Sequence, residues 1–175
     1  MGRRLVLVAL VVIHVNVLSR KQALTHSLFH SHTLLFCSWV WIGTNDIIRD
    51  ECRPEQVAAG IVTIVQELRQ QRPDAWIVVQ SLLPSEHAAP NVVDAINAAI
   101  QCLANSTPQT FFYNSSHVFG MPKTAAATTT TTTIPWVNAS RLANDGIHPN
   151  GEGSRAWARS MMDYLRRLYQ EQYYH

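Results

Sequence analysis

Between residues 34 and 114 the chain alternates short apolar runs with amphipathic segments, and this alternation leaves few folds open. LLFCSWVWI (34–42) is apolar and rich in aromatics and ends at Gly43, as a buried strand closing in a tight turn does. From Pro54 to Gln71, Val57, Ile61, Ile64, Val65 and Leu68 recur at helical spacing while Glu67, Arg69 and Gln70 face the other way. Pro73 breaks that helix, and WIVVQSLL (76–83) reads as a second strand stopped by Pro84. Val92, Val93, Ile96, Ala99, Ile100 and Leu103 then stripe a second helix over Asn91 to Ala104, and TFFYN (110–114) is a third strand. Strand, helix, strand, helix, strand at these lengths requires crossover connections, hence a parallel sheet covered by helices. Met161, Leu165 and Leu168, with Ala158 and Met162 beside them, mark a terminal helix from Glu152 to Tyr169 that docks on the sheet. The expected architecture is a three-layer α/β domain.

The chain's 175 residues suffice for one core and not comfortably for two. With 47% apolar and 15% charged residues and a net charge of +2, it is neither a disordered chain nor an electrostatic binder of nucleic acid. Cys37, Cys52 and Cys102 are odd in number and widely spaced, which argues against a structural zinc site or a disulfide framework and allows at most one disulfide. His26, His30 and His32 have no acidic or Cys partner nearby and read as a solvated loop rather than a metal site.

Two segments stand apart. The apolar run from Leu5 to Ile13 follows Arg3 and Arg4 and fits either a signal or anchor or a buried strand. Localisation follows from that choice: secreted or membrane-anchored in the first case, cytoplasmic in the second. Asn-x-Ser/Thr triplets at Asn105, Asn114 and Asn138 would carry glycans only in the secreted case. TAAATTTTTT (124–133) has no period that could bury a face and is expected to be an exposed loop. The division expected is an atypical segment over 1–33 and one domain over 34–175.

Two short motifs carry the chemistry. In DGIHPN (145–150), Asp145 and His148 are three residues apart, a separation a turn can close so that the carboxylate accepts the imidazole Nδ1 proton. Nε2 is then left as a general base, Gly146 eases the turn, and Pro149 holds the backbone extended before the helix. GTND (43–46) follows a strand, so it lies at the carboxyl edge of the sheet, where open α/β folds bind ligands. There the Asn45 amide can donate to a developing oxyanion, while Asp46 is expected to cap the following segment.

GTND before a helix, strand and helix, with DGIHPN before a terminal helix, resembles the SGNH, or GDSL-type, ester hydrolase family. VAAGIVTIVQELRQQRPDAWIVVQSLLP (57–84) is similar to a stretch in the α subunits of platelet-activating factor acetylhydrolase. The resemblance spans about residues 34 to 170, with boundaries good to a few residues. It implies a flavodoxin-like parallel sheet, a Ser-His-Asp triad, a small carboxylic or acetyl ester as substrate, and neither cofactor nor metal. On the matching motifs, His148 is the implied general base, Asp145 its carboxylate and Asn45 an oxyanion-hole residue.

The family's first block, Gly-Asp-Ser after the first strand, has no counterpart here, since no Gly stands between Gly2 and Gly43. Ser19, Ser27, Ser31 and Ser38 lack the tight turn that exposes a nucleophile, and Ser81 falls within an expected strand. The nucleophile is therefore unassigned. The expectation is a truncated product lacking the first βαβ unit, with a non-catalytic binding relative or an unusual serine as alternatives. An uncovered sheet side would favour a homo-oligomer.

Overall fold

A computed structural model describes residues 37–48, 52–83, 85, 87–120 and 138–173. The apolar run Leu5–Ile13, the three clustered histidines, Ser19, Ser27, Ser31 and the Thr-rich stretch 124–133 all lie outside the described residues.

Strand β1 (Cys37–Val40) is followed by a short helix α1 (Thr44–Ile48), then α2 (Pro54–Gln71), β2 (Trp76–Gln80), α3 (Pro90–Ser106) and β3 (Thr110–Tyr113). A single-turn helix α4 (Ser116–Phe119), a 3-10 turn (Ala139–Arg141) and the long α5 (Gly151–Tyr173) complete the described chain. The three strands are parallel in the order β1-β2-β3, with Cys37 opposite Trp76 and Ile77 opposite Thr110.

The strands are apolar without alternation because both faces are covered. Val40, Ile77 and Val79 point to one face, where Val57, Ile61 and Val65 of α2 and Val93, Ile96 and Ile100 of α3 meet them. Cys37, Trp39, Trp76, Val78 and Tyr113 point to the other, under Met161, Leu165 and Leu168 of α5. These are the three layers anticipated, and α2 has the boundaries its periodicity indicates.

Several expectations need correction. Asp46 lies within the first turn of α1 and does not cap α2, which starts after Arg53. Ala99 is exposed, because α3 meets the sheet through a narrower stripe that includes Ala104 instead. Ala158 and Met162 are also exposed, and α5 fills its flank with the larger Trp157 and Tyr164. All three cysteines are free. No helix among the described residues is long and apolar enough to cross a membrane.

Candidate active site

Parallel strands deliver all their exits to one edge, and three local devices shape that edge. After β1, Gly43 turns the chain with φ of +108°, in the left-handed region that favours glycine. A Cβ there would come within 2.8 Å of Val57 Cγ1, so the residue also lets α1 sit close over α2. Asn45 follows this turn as the second residue of α1.

After β2, Asn97 of α3 accepts the Leu82 N–H at 2.7 Å and so pins the strand's exit to the helix. The buried Ser81 and Ser115 hydroxyls lie 2.8 Å apart, and Ser81 Oγ also accepts the Ser115 N–H, stitching the ends of β2 and β3. Ser81 thus has a structural task and no opening to solvent.

The third device is the turn before α5. Asp145 Oδ1 accepts the N–H groups of Ile147 and His148 at 3.0 Å each, while Oδ2 lies 2.6 Å from His148 Nδ1. Gly146, with φ of +66°, supplies the reversal. Leu142 and Pro149 bridge across it, and the Ala143 N–H donates to the His148 carbonyl at 2.7 Å. The side chains of His148 and Asp145 are 62% and 46% exposed, so the pair is open to a reactant.

Those hydrogen bonds have an electrostatic consequence. The His148 N–H first, then the His148 ring and the Ile147 N–H, hold the Asp145 carboxyl well below the usual carboxylate range. Asp145 is therefore an anion at neutral pH, and a hydrogen bond from a neutral imidazole to it places the proton on Nδ1 and leaves the Nε2 lone pair outward.

The ordered motif extends further than its Asp145–His148 pair. Asn150 Oδ1 accepts the N–H groups of Glu152 and Gly153 at 2.9 Å, and so caps α5, while its Nδ2 donates to the carbonyls of Ser140 and Leu142. Pro149 accordingly precedes the cap instead of opening the helix. Gly153 lets α5 press on the 3-10 turn, since a Cβ there would run into the Arg141 carbonyl. Neither residue was singled out as part of the site from sequence, although an Asn before a Gly-rich helix start is a legible cap signal.

Position on the edge is further set by Leu142, which packs with Leu83, Val118 and Phe119, and by Trp41 against Trp157 at 4.8 Å. Trp39 and Trp157 both donate to Gln80 Oε1 at 2.9 Å, which locks the first half of α5 to the end of β2. The Asp145–His148 turn is thereby held against the segments that follow β2 and β3.

Among the described residues no serine hydroxyl hydrogen-bonds to His148, and Ser38 is buried in β1. One other serine meets an imidazole: Ser160 Oγ is 2.6 Å from His117 Nε2 and accepts from Tyr113 OH at 2.8 Å, which fastens α4 and β3 to α5. No cluster of three or more His, Cys, Asp or Glu among the described residues is arranged to hold a metal ion.

No protein-family model matches the sequence, and no curated protein matches it. Solved structures do. A Streptococcus pneumonia protein provisionally described as a platelet activating factor matches with TM-score 0.59 and 22% identity, over 74% of this chain and 59% of that one. A carbohydrate esterase family 3 member from Talaromyces cellulolyticus matches with TM-score 0.57 and 19% identity, over 77% and 59%. A peptidoglycan O-acetylesterase matches with TM-score 0.52 and 18% identity, over 74% and 36%. The chain has the fold of these neighbours, two of which are named as esterases. It spans about three fifths of the length of the first two, 59% in each case.

Proposed function

We propose that this chain is an SGNH-type hydrolase-like protein in which His148 is the general base, Asp145 its orienting anion and Asn45 a donor to the oxyanion. The observation that carries the reading is the Asp145–His148 contact of 2.6 Å, and the position of Asn45 at the start of α1, directly after β1 and Gly43, supports it. In the proposed reaction His148 Nε2 takes the proton of a serine hydroxyl as that oxygen attacks an ester carbonyl. The Asn45 amide stabilises the charge on the carbonyl oxygen, the alcohol leaves with the proton from His148, and water then hydrolyses the acyl-enzyme in the same manner. The esterase activities named for two of the structural neighbours favour a small carboxylic or acetyl ester as substrate. We read 34–175 as the domain concerned. Self-association belongs to the same reading, supported by β1 pairing with β2 alone among the described residues.

A second reading, a non-catalytic relative that binds without turnover, is supported by the lack of any described serine on His148. Fluorophosphonate labelling of the purified full chain separates the two. The hydrolase reading expects one serine labelled, with the rate reduced at least ~100-fold in His148→Ala. An unlabelled chain with a cooperative melt would leave the binding relative.

A further inference from the structure

We propose that His87 is a positioning residue of this site, holding the Asp145–His148 turn in place through the main chain of Asp145. The inference rests on the reading of Asp145 and His148 as the acid-base pair, and it extends that reading to a residue from a different element.

His87 Nε2 lies 2.9 Å from the carbonyl oxygen of Asp145, 58 residues away in sequence. A carbonyl only accepts, so Nε2 carries the hydrogen, as it does in one neutral tautomer and in the imidazolium.

The peptide plane it grips is the one that matters. The Asp145 carbonyl and the Gly146 N–H belong to a single planar unit, and the Gly146 N–H donates to the Ala143 carbonyl at 3.0 Å. Both polar ends of that plane are thus held. Gly146 lies in the left-handed region with φ of +66° and has no side chain to restrict it, so rotation of this plane is the soft motion by which the Asp145 carboxylate could swing off His148.

Hydrogen bonds anchor residues near His87 in the segment that follows β2. Asn97 of α3 clasps both polar groups of Leu82, accepting its N–H at 2.7 Å and donating to its carbonyl at 3.4 Å. The Ser85 hydroxyl, only 2% exposed, accepts the His87 N–H at 3.1 Å, and the next residue, Ala88, is 8% exposed. The exposed His87 ring, its own N–H held by Ser85, reaches the hinge of the Asp145–His148 turn.

The test uses His87→Ala and His87→Gln in the full chain. Amide hydrogen exchange is followed by NMR at Ile147 and His148, whose N–H groups report the Asp145 carboxylate, and at Ile77 in the central strand. His87→Ala is expected to speed exchange at Ile147 and His148 by roughly two- to tenfold, the range one hydrogen bond supplies, with Ile77 unchanged. His87→Gln, which keeps an N–H donor, restores most of the protection. Unchanged exchange at the turn, equal acceleration at Ile77, or no rescue by Gln would overturn the proposal. Fluorophosphonate labelling of the same samples keeps the two readings apart. Faster exchange at the turn without any labelled serine leaves His87 standing and removes the hydrolase; a labelled wild type with unaltered exchange in His87→Ala does the reverse.

Discussion

Asp145 accepts three hydrogen bonds from two neighbours, and its titration reports them together. A carboxyl whose folded value is depressed contributes stability that is complete above the unfolded value, about 3.9, and is lost as pH falls through the folded one. The carboxyl signal of Asp145, followed by 13C NMR, should therefore titrate below ~3.9. His148→Ala removes the ring and keeps the main-chain N–H, which is the leading cause of the shift, so the midpoint should rise only part of the way back. A wild-type midpoint at or above the ordinary aspartate value would mean that the turn does not hold the carboxylate in solution. Ring and backbone thus have separable effects on one group.

At the scale of elements, the site depends on how closely α5 approaches the 3-10 turn. The Asn150 side chain ties the two by four hydrogen bonds, and Arg141 donates to the Val118 carbonyl at 2.6 Å, which carries the tie on to α4. Gly153 is the contact point, buried and without space for a methyl group. Its opposing atom is a main-chain carbonyl, which cannot rotate away as a side chain would. Gly153→Ala should destabilise the fold by about 1–3 kcal/mol, the usual effect of overpacking, despite the better helix propensity of alanine. Urea denaturation checks this, and an unchanged or raised midpoint would show that α5 can slide. The helices α2 and α3 carry no comparable glycine constraint against the sheet, since Gly60 of α2 faces open space.

Across the whole molecule, the sheet divides two cores whose residues alternate along each strand, and Cys37 sits in the one beneath α5. Burial pushes its thiol up to about 12, so little reactive thiolate forms at neutral pH while the domain is closed. Cys102 is exposed on α3. A thiol reagent at pH 8 should modify Cys102 readily and Cys37 only on global unfolding, with the two rates converging in denaturant. Rapid modification of Cys37 under native conditions would show that α5 lifts from the sheet without the rest of the domain. Since α5 follows the Asp145–His148 turn directly, such opening would also disturb His148.

How much of this was legible beforehand differs by level for physical reasons. Periodicity is a local property, so the alternation of apolar runs with amphipathic stripes determined the strands, the helices α2, α3 and α5, and the parallel three-layer arrangement, because crossovers at those lengths permit little else. The Asp145–His148 contact was legible too, being closed within one turn. Short elements such as α1 and α4 were not, since a single turn bears no period and is stabilised by what it packs against. Which helical alanines are buried was decided by the neighbouring layer, as Ala99 and Ala158 show. His87 was invisible in the sequence because its partner lies 58 residues away, and only folding brings the exit of β2 against the loop before α5. The sequence by itself determined the architecture and the Asp145–His148 contact, both products of local spacing. The tertiary structure alone decided what holds that pair in place: long-range hydrogen bonds and close backbone contacts, which have no signature in the order of residues along the chain.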